Sequence, residues 1–244
     1  MNNSQIDNVK LGLLPNSTTE DGLTSVSPSI AKPHVGSSFS VKYPRTFHFE
    51  FSQGQTNDDK IQYDLSNFEG KEIVITEKMD GENTTMTNEK YYARSLDSNN
   101  HPSRNYVKGI WGKIKHEIPN EFRICGENLF AKHSIAYQNL ADYFLCFSIW
   151  QNDMCLNWNE TLEYCELLNL TNVPVLWKGK FDLNFINNFS VNTEIQEGFV
   201  VRVTDNFLLQ DFNKSVVKWV RLNHVETDEH WMSSKIIPNK LKSV

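Results

Sequence analysis

From Val41 onward the spacing of apolar and polar positions outlines the elements of the chain. Phe47, Phe49 and Phe51 alternate with polar residues, the period-two pattern of a half-buried strand. Ile73-Val74-Ile75-Thr76 is a β-branched run, which predicts a strand delivering Glu77 and Lys78 to its end. Between Ser103 and Ile118, the residues Val107, Ile110, Trp111, Ile114 and Ile118 recur at spacings of three and four and so share one helical face. Gly109 and Gly112 weaken that helix, and Arg104, Lys108 and Lys115 fall together beside the stripe. Further strands are predicted at 123–126, 143–150, 173–177, 198–203 and 216–221, with a short helix near 161–168. Many strands, few helices and short connections imply one α+β domain built on antiparallel sheets. Residues 1–40 hold only isolated apolar residues among Ser, Thr, Asn, Pro and Gly, too few to offset the entropy of ordering a backbone. A disordered tail over 1–40 ahead of a domain over 41–244 is therefore predicted.

Composition narrows the classes. The 244 residues carry 24 Lys+Arg against 30 Asp+Glu, a formal net charge of −6, and the mean hydropathy is −0.49. No long uncharged apolar run is present, so no membrane span is predicted. The start of the chain contains Asp7, Glu20 and Asp21 and lacks a basic segment followed by an apolar core. An intracellular protein, cytoplasmic or nuclear, is expected. The acidic balance opposes coating of nucleic acid by bulk charge, so any such binding must come from a local patch. Cys125, Cys146, Cys155 and Cys165 form no C-x-x-C pair and are expected to be core thiols.

Several short segments could carry chemistry. Lys78-Met79-Asp80-Gly81-Glu82-Asn83 puts a lysine at a strand end before an Asp-Gly turn, presented towards a cleft. Such a lysine is a nucleophile only when its ammonium loses a proton. Arg94 offers a planar fork for a phosphate, and Glu127 follows a short apolar strand. Phe147 lies in the core-like run 144–150, where an aromatic face could also cover a base. Glu197-Gly198 opens one strand, and Lys218 shares its strand face with Val216 and Val220, where a lysine needs a partner. Taken singly, each has a plain structural reading: a solvated charge, a core aromatic, an edge-strand charge.

Taken in order, Lys78-x-Asp80-Gly81, Arg94, Glu127, Phe147, Glu197-Gly198 and Lys218 resemble the motif series of the covalent nucleotidyltransferases, the ATP-dependent ligases and capping enzymes. Asn83, Ala93-Arg94-Ser95 and the run from Gly126 to Ile135 are similar to the RNA ligases within that superfamily. The resemblance covers roughly Tyr43 to Arg221. It implies a nucleotidyltransferase fold, and the stretch after Arg221 is too short for a C-terminal OB domain of five strands. One departure stands out: many RNA ligases have Lys-x-Lys in the final motif, whereas here Val220 occupies the second place and Arg221 follows.

The resemblance further implies ATP as substrate and magnesium or manganese as cofactor. Lys78 would form a lysyl-AMP, AMP would pass to an RNA 5′-phosphate, and a 3′-hydroxyl would displace it. Lys218 would neutralise the α-phosphate, Glu197 would serve the metal, Glu127 would bind the ribose and Phe147 would stack on adenine. Arg94 is assigned to the RNA 5′-phosphate or the leaving phosphates, and Asn83 and Asp80 to shaping the site. For docking RNA ends, residues 98–116 offer Arg104, Lys108, Lys113 and Lys115 with no acidic residue, alongside Tyr106 and Trp111. His101 and His133 are candidate phosphate donors with equally good structural roles. Two other readings remain open: a nucleotidyltransferase that acts on DNA ends or uses GTP, and a non-catalytic RNA-binding module on the same fold.

Overall fold

The buried run Ile73 to Thr76 lies inside a longer strand, and its neighbours explain why it is apolar on both faces. In chain order the elements begin with β1 (Phe47–His48), β2 (Glu72–Lys78), β3 (Glu82–Met86), β4 (Tyr91–Ala93), α1 (Asn105–Ile114), β5 (Phe122–Asn128), β6 (Phe144–Gln151) and β7 (Met154–Cys155). They continue with α2 (Trp158–Leu167), β8 (Thr171–Asn172), β9 (Val175–Lys180), α3 (Leu183–Asn187), β10 (Gly198–Val203), β11 (Phe207–Leu208), α4 (Phe212–Ser215) and β12 (Val216–Val220). The computed structural model describes residues 40–96, 100–222 and 236–243, which belong to one compact unit. The tail expected over 1–40 lies, apart from Ser40, outside the described residues.

Among these residues the strands form two sheets. One has the order β1-β12-β10-β2-β9; the other runs β11-β7-β6-β5-β3-β4, with β8 added beside β6. Pairing is antiparallel except at β1 with β12 and β6 with β8, giving the expected α+β class. Strand β2 sits between β10 and β9, so Ile73, Val74 and Ile75 are all fully buried. The outer face of the second sheet packs Met86, Ile124, Phe144 and Ile149 against Val107 and Ile114 of α1 and Cys165 of α2. Burying a side chain of the size of Val107 or Ile114 contributes about 1.5–3 kcal/mol. The four cysteines are buried thiols. No helix among the described residues is long and apolar enough to cross a membrane.

Four details depart from the sequence reading. The phenylalanine alternation yields a pairing strand only at Phe47–His48; Ser52 N donates to Phe49 O at 3.0 Å, so the chain turns back and Phe49 stacks on Phe51 at 4.9 Å. Of the strand expected over 173–177 only Val175 onward forms, as the start of β9; β8 ends at Asn172 in the other sheet, and Pro174 between them cannot donate a ladder hydrogen bond. The helix begins at Asn105 after a tight turn over Pro102–Arg104 and ends at Ile114, with Ile118 buried beyond it. Arg104, expected on a basic RNA-facing flank with Lys108 and Lys115, instead turns inward, 6% exposed, and forks onto the Glu82 carboxylate with Nε 2.7 Å from Oε2. A carboxylate mostly withdrawn from water at the start of β3 needs a counter-charge, and the α1 entrance is where the chain supplies one.

Glu82→Gln should therefore lower stability by about 3–5 kcal/mol, since Arg104 would stay buried without that carboxylate. Lys108→Ala, at an exposed position, should change it by less than about 0.5 kcal/mol. Urea unfolding of the two variants decides this, and an unchanged midpoint for Glu82→Gln would contradict the assignment.

Candidate active site

Strand alternation puts Thr76 and Lys78 of β2, Val200 and Arg202 of β10, and Val216 and Lys218 of β12 on the face turned towards the second sheet. That sheet answers with Asn83 of β3, Glu127 of β5, Phe147 and Ser148 of β6, and Cys155 of β7. Together they enclose a cavity of about 300 Å³ between the sheets, with Tyr43, Arg45, Asp59 and Arg94 also in its wall.

Lys78 ends β2 opposite Gly198, and its Nζ forms an ion pair with Glu197 Oε2. Glycine is required at 198 because a Cβ there would run into the Trp219 carbonyl of β12. Glu197 is only 4% exposed. Burial disfavours the Lys78 ammonium, but the carboxylates of Glu197, Glu127 and Asp80 outweigh it and hold its pKa above the ordinary lysine value. Burial pushes Glu197 upward, partly offset by Lys78, and pushes Glu127 up to about 8. Lys218 moves the opposite way: burial, reinforced by the charge on Lys78, lowers it to about 8. Its Nζ lies 4.0 Å from Asp59 Oδ1, and the same oxygen is 3.3 Å from Nε2 of the buried His48.

The turn after Lys78 is braced from the 129–140 loop. Asp80 Oδ2 accepts hydrogen bonds from Ser134 Oγ at 2.9 Å and Ile135 N at 2.7 Å, while Asp80 N donates to Tyr137 Oη at 2.9 Å. Gly81 is needed for close approach, since a Cβ would collide with the Asn128 carbonyl.

Of the residues singled out from sequence, Lys78, Asn83, Arg94, Glu127, Phe147 and Lys218 all line the cavity, and Glu197 reaches it through Lys78. The buried Oδ1 of Asn83 has no hydrogen-bond partner among the described residues. Arg94 Nε donates to Tyr43 O at 3.1 Å, and Tyr43 packs edge-on to Phe147 at 5.1 Å. Arg104, Lys108 and Lys115 do not line the cavity; Lys115 lies over the Trp111 ring at 5.0 Å. His101 caps the turn ahead of α1 through Ser103. His133 is half-buried, its pKa lowered by burial against the pull of Asp80, Glu82 and Glu197. Arg221 follows the end of β12 and reaches Ser134 Oγ at 3.4 Å, on the Asp80 side, whereas Lys218 faces Asp59.

Sequence reasoning missed Arg45, Asp59 and Arg202. The guanidinium of Arg202 is buried over Trp158 and Phe207, donates to Val203 O and Leu156 O, and leaves Nη1 without a hydrogen-bond partner among the described residues. Arg202 sits in the predicted strand 198–203, where an arginine amid valines was a readable signal. Arg45 and Asp59 lie in irregular segments, where no periodicity says which way a side chain points.

The sequence matches the RNA ligase family over residues 71–220. An archaeal ATP-dependent RNA ligase superposes with a TM-score of 0.50 at 12% identity, covering 75% of this chain and 48% of that one. A Naegleria gruberi RNA ligase variant solved with AMP and Mn gives 0.45 at 17% identity, covering 64% and 51%. A protein from Aquifex aeolicus assigned as an ATP-dependent DNA ligase gives 0.49 at 18%, covering 75% and 50%. This chain thus spans about half the length of the solved structures it matches, and the likeness to the archaeal enzyme, at 12% identity, speaks to the fold alone. No curated protein matches the sequence at a significant level. With the family match extending over residues 71–220, more than half of the chain, the chain belongs to the RNA ligase family.

Proposed function

We propose that residues 41–244 form a nucleotidyltransferase domain that joins RNA ends at the expense of ATP, with Lys78 as the nucleophile. One observation carries this reading: Lys78, ion-paired to Glu197, belongs to the same inter-sheet cavity as Asn83, Arg94, Glu127, Phe147 and Lys218, residues far apart in sequence. Phe147 and Val200 come from opposite sheets, leaving apolar walls suited to a flat base. The open acceptor of Asn83 and the cationic Lys218 and Arg94 suit a polar, anionic ligand.

In the proposed reaction Lys78 Nζ attacks the α-phosphorus of ATP, a P–N bond forms and the P–O bond to pyrophosphate breaks. AMP then passes to an RNA 5′-phosphate, and a 3′-hydroxyl displaces AMP to leave a phosphodiester. Each step is a displacement at phosphorus, where the protein contributes positioning and charge neutralisation. Glu197 fixes Nζ towards the cavity, and its buried carboxylate is the nearest acceptor for the proton that Nζ must shed. Lys218 neutralises the α-phosphate. Glu127, whose carboxyl burial pushes up to about 8, hydrogen-bonds the ribose. Arg94 holds the RNA 5′-phosphate or the leaving phosphates.

No three His, Cys, Asp or Glu side chains among the described residues form a ready metal cluster. Glu197, paired with Lys78 beside the cavity, would be the protein's oxygen donor, and magnesium or manganese would take its other ligands from phosphate and water. When bound, the ion adds to the neutralisation of phosphate charge.

Mixing the protein with ATP labelled at the α-phosphate and magnesium should give a covalent protein–AMP adduct, absent in Lys78→Ala; no label on the wild type would end the proposal. Lys218→Ala should slow labelling about a hundredfold. Parallel reactions with GTP, and with RNA or DNA ends, define the substrate.

The pH dependence follows from Lys218, which holds its charge below about 8 and loses it above. For labelling, kcat/KM should therefore rise with pH and level off above about 8, where loss of the Lys218 charge cancels the gain from deprotonating Lys78, whose pKa lies higher. Lys218→Arg, whose guanidinium stays charged, should move this break to higher pH; an unmoved break would assign it to another group.

A further inference from the structure

The C-terminal stretch 236–243 takes no part in the chemistry proposed above, yet it is bonded into the loop that braces the nucleophile turn. Pro238 bridges to Ala131 and Leu241 to Leu140, while Lys132 N donates to Ile237 O at 2.7 Å. Between these ties sits Asn239, 4% exposed, with both ends of its amide in use. Its Nδ2 donates to Leu129 O at 2.8 Å and to Ala131 O at 3.3 Å, and its Oδ1 accepts from Tyr137 N at 3.0 Å. Its backbone is held as well: N donates to Phe130 O at 2.9 Å, and O accepts from Tyr143 Oη at 2.9 Å.

Each of these partners lies within or beside the 129–140 loop, and the loop in turn holds the nucleophile turn. Tyr137 places the hydroxyl that accepts from Asp80 N, while Ser134 and Ile135 hold the Asp80 carboxylate. Asp80 is two residues from Lys78. We infer that Asn239 is a positioning residue: it fixes the 129–140 loop, the loop fixes Asp80, and Asp80 fixes the turn that aims Lys78 at Glu197.

A buried side-chain amide with three protein partners cannot be removed quietly. Alanine would leave the Leu129 and Ala131 carbonyls and the Tyr137 amide short of partners, and the loop would shift or open to find water. The consequence would be felt at Lys78, which Asn239 does not touch. Its importance for catalysis rests on the reading of Lys78 as the group that takes AMP; its structural effect does not.

Two measurements on the full chain test the inference and separate it from that reading. In Asn239→Ala, amide hydrogen exchange followed by NMR should accelerate about tenfold at Asp80, while Val201 in the centre of β10 stays as in the wild type. In the same variant, labelling by ATP at saturation should slow about tenfold with KM for ATP unchanged within about twofold. A mere loss of global stability would instead raise exchange everywhere and leave the rate per folded molecule alone. Asn239→Asp keeps the size and the acceptor for Tyr137 N but loses both donors, and should shift both readings the same way if the alanine variant does not fold. Wild-type exchange at Asp80 in a folded variant overturns the inference, whatever the labelling rate. Faster exchange at Asp80 in a protein that never takes up AMP, even as wild type, would uphold the brace and overturn the ligase reading instead.

Discussion

The ion pair between Lys78 and Glu197 imposes the main constraint on this molecule. Both groups are largely withdrawn from water, and removing either partner from such a pair would leave an uncompensated charge in a medium that tolerates it poorly. The pair exists because β2 and β10 are neighbours in register, with Lys78 opposite Gly198, so that Glu197 leaves its strand beside the lysine. Close packing of β10 on β12 at Gly198 holds this register and also brings Lys218 to the same wall. The apolar strands thus act as a ruler: burial of Ile73 to Ile75 and of Phe199 and Val201 sets the sheet, and the sheet sets where the charges meet.

Around this pair the cavity balances its own charge. Lys218 is set against Asp59, Lys78 against Glu197, and Glu127 lies near enough to Lys78 to feel its charge. Burial moves the groups away from their charged forms in opposite senses, lowering Lys218 and raising Glu127 and Glu197. An anionic ligand would strengthen the charge on Lys218, which burial weakens in the free site. The overall charge of −6 is therefore no obstacle to a phosphate-bearing substrate: what counts is the handful of groups facing one cleft, and most of the acidic surplus lies elsewhere.

Much of the fold was legible where local chemistry and burial agree. The β-branched run at 73–76, the strand over 198–203 and the helical stripe from Val107 to Ile114 each have one way to hide their apolar side chains, and the elements form accordingly. Arg104 was misread because a helical wheel records angle alone: Lys108 and Lys115 stay on the outside, but Arg104 meets Glu82 on β3, a partner that lies 22 residues away in sequence. Asp59, Arg45 and Asn239 escaped for a related reason. They sit in irregular backbone, where direction is set by hydrogen bonds to distant segments and not by any period of the chain.

The order of chemically capable residues, Lys78, Arg94, Glu127, Phe147, Glu197 and Lys218, is written in the sequence, and with it the class of fold that could gather them. Strand alternation even says that Lys218 shares a face with Val216 and that Arg221 points elsewhere. Which carboxylate meets which cation is not written there, because Coulomb interactions and desolvation depend on distances between strands that pair across more than a hundred residues. The partnership of Lys78 with Glu197 exists only once β2 and β10 have paired, and the setting of Lys218 against Asp59 and the hold of Asn239 on the loop beside Lys78 only once distant segments have packed together and excluded water.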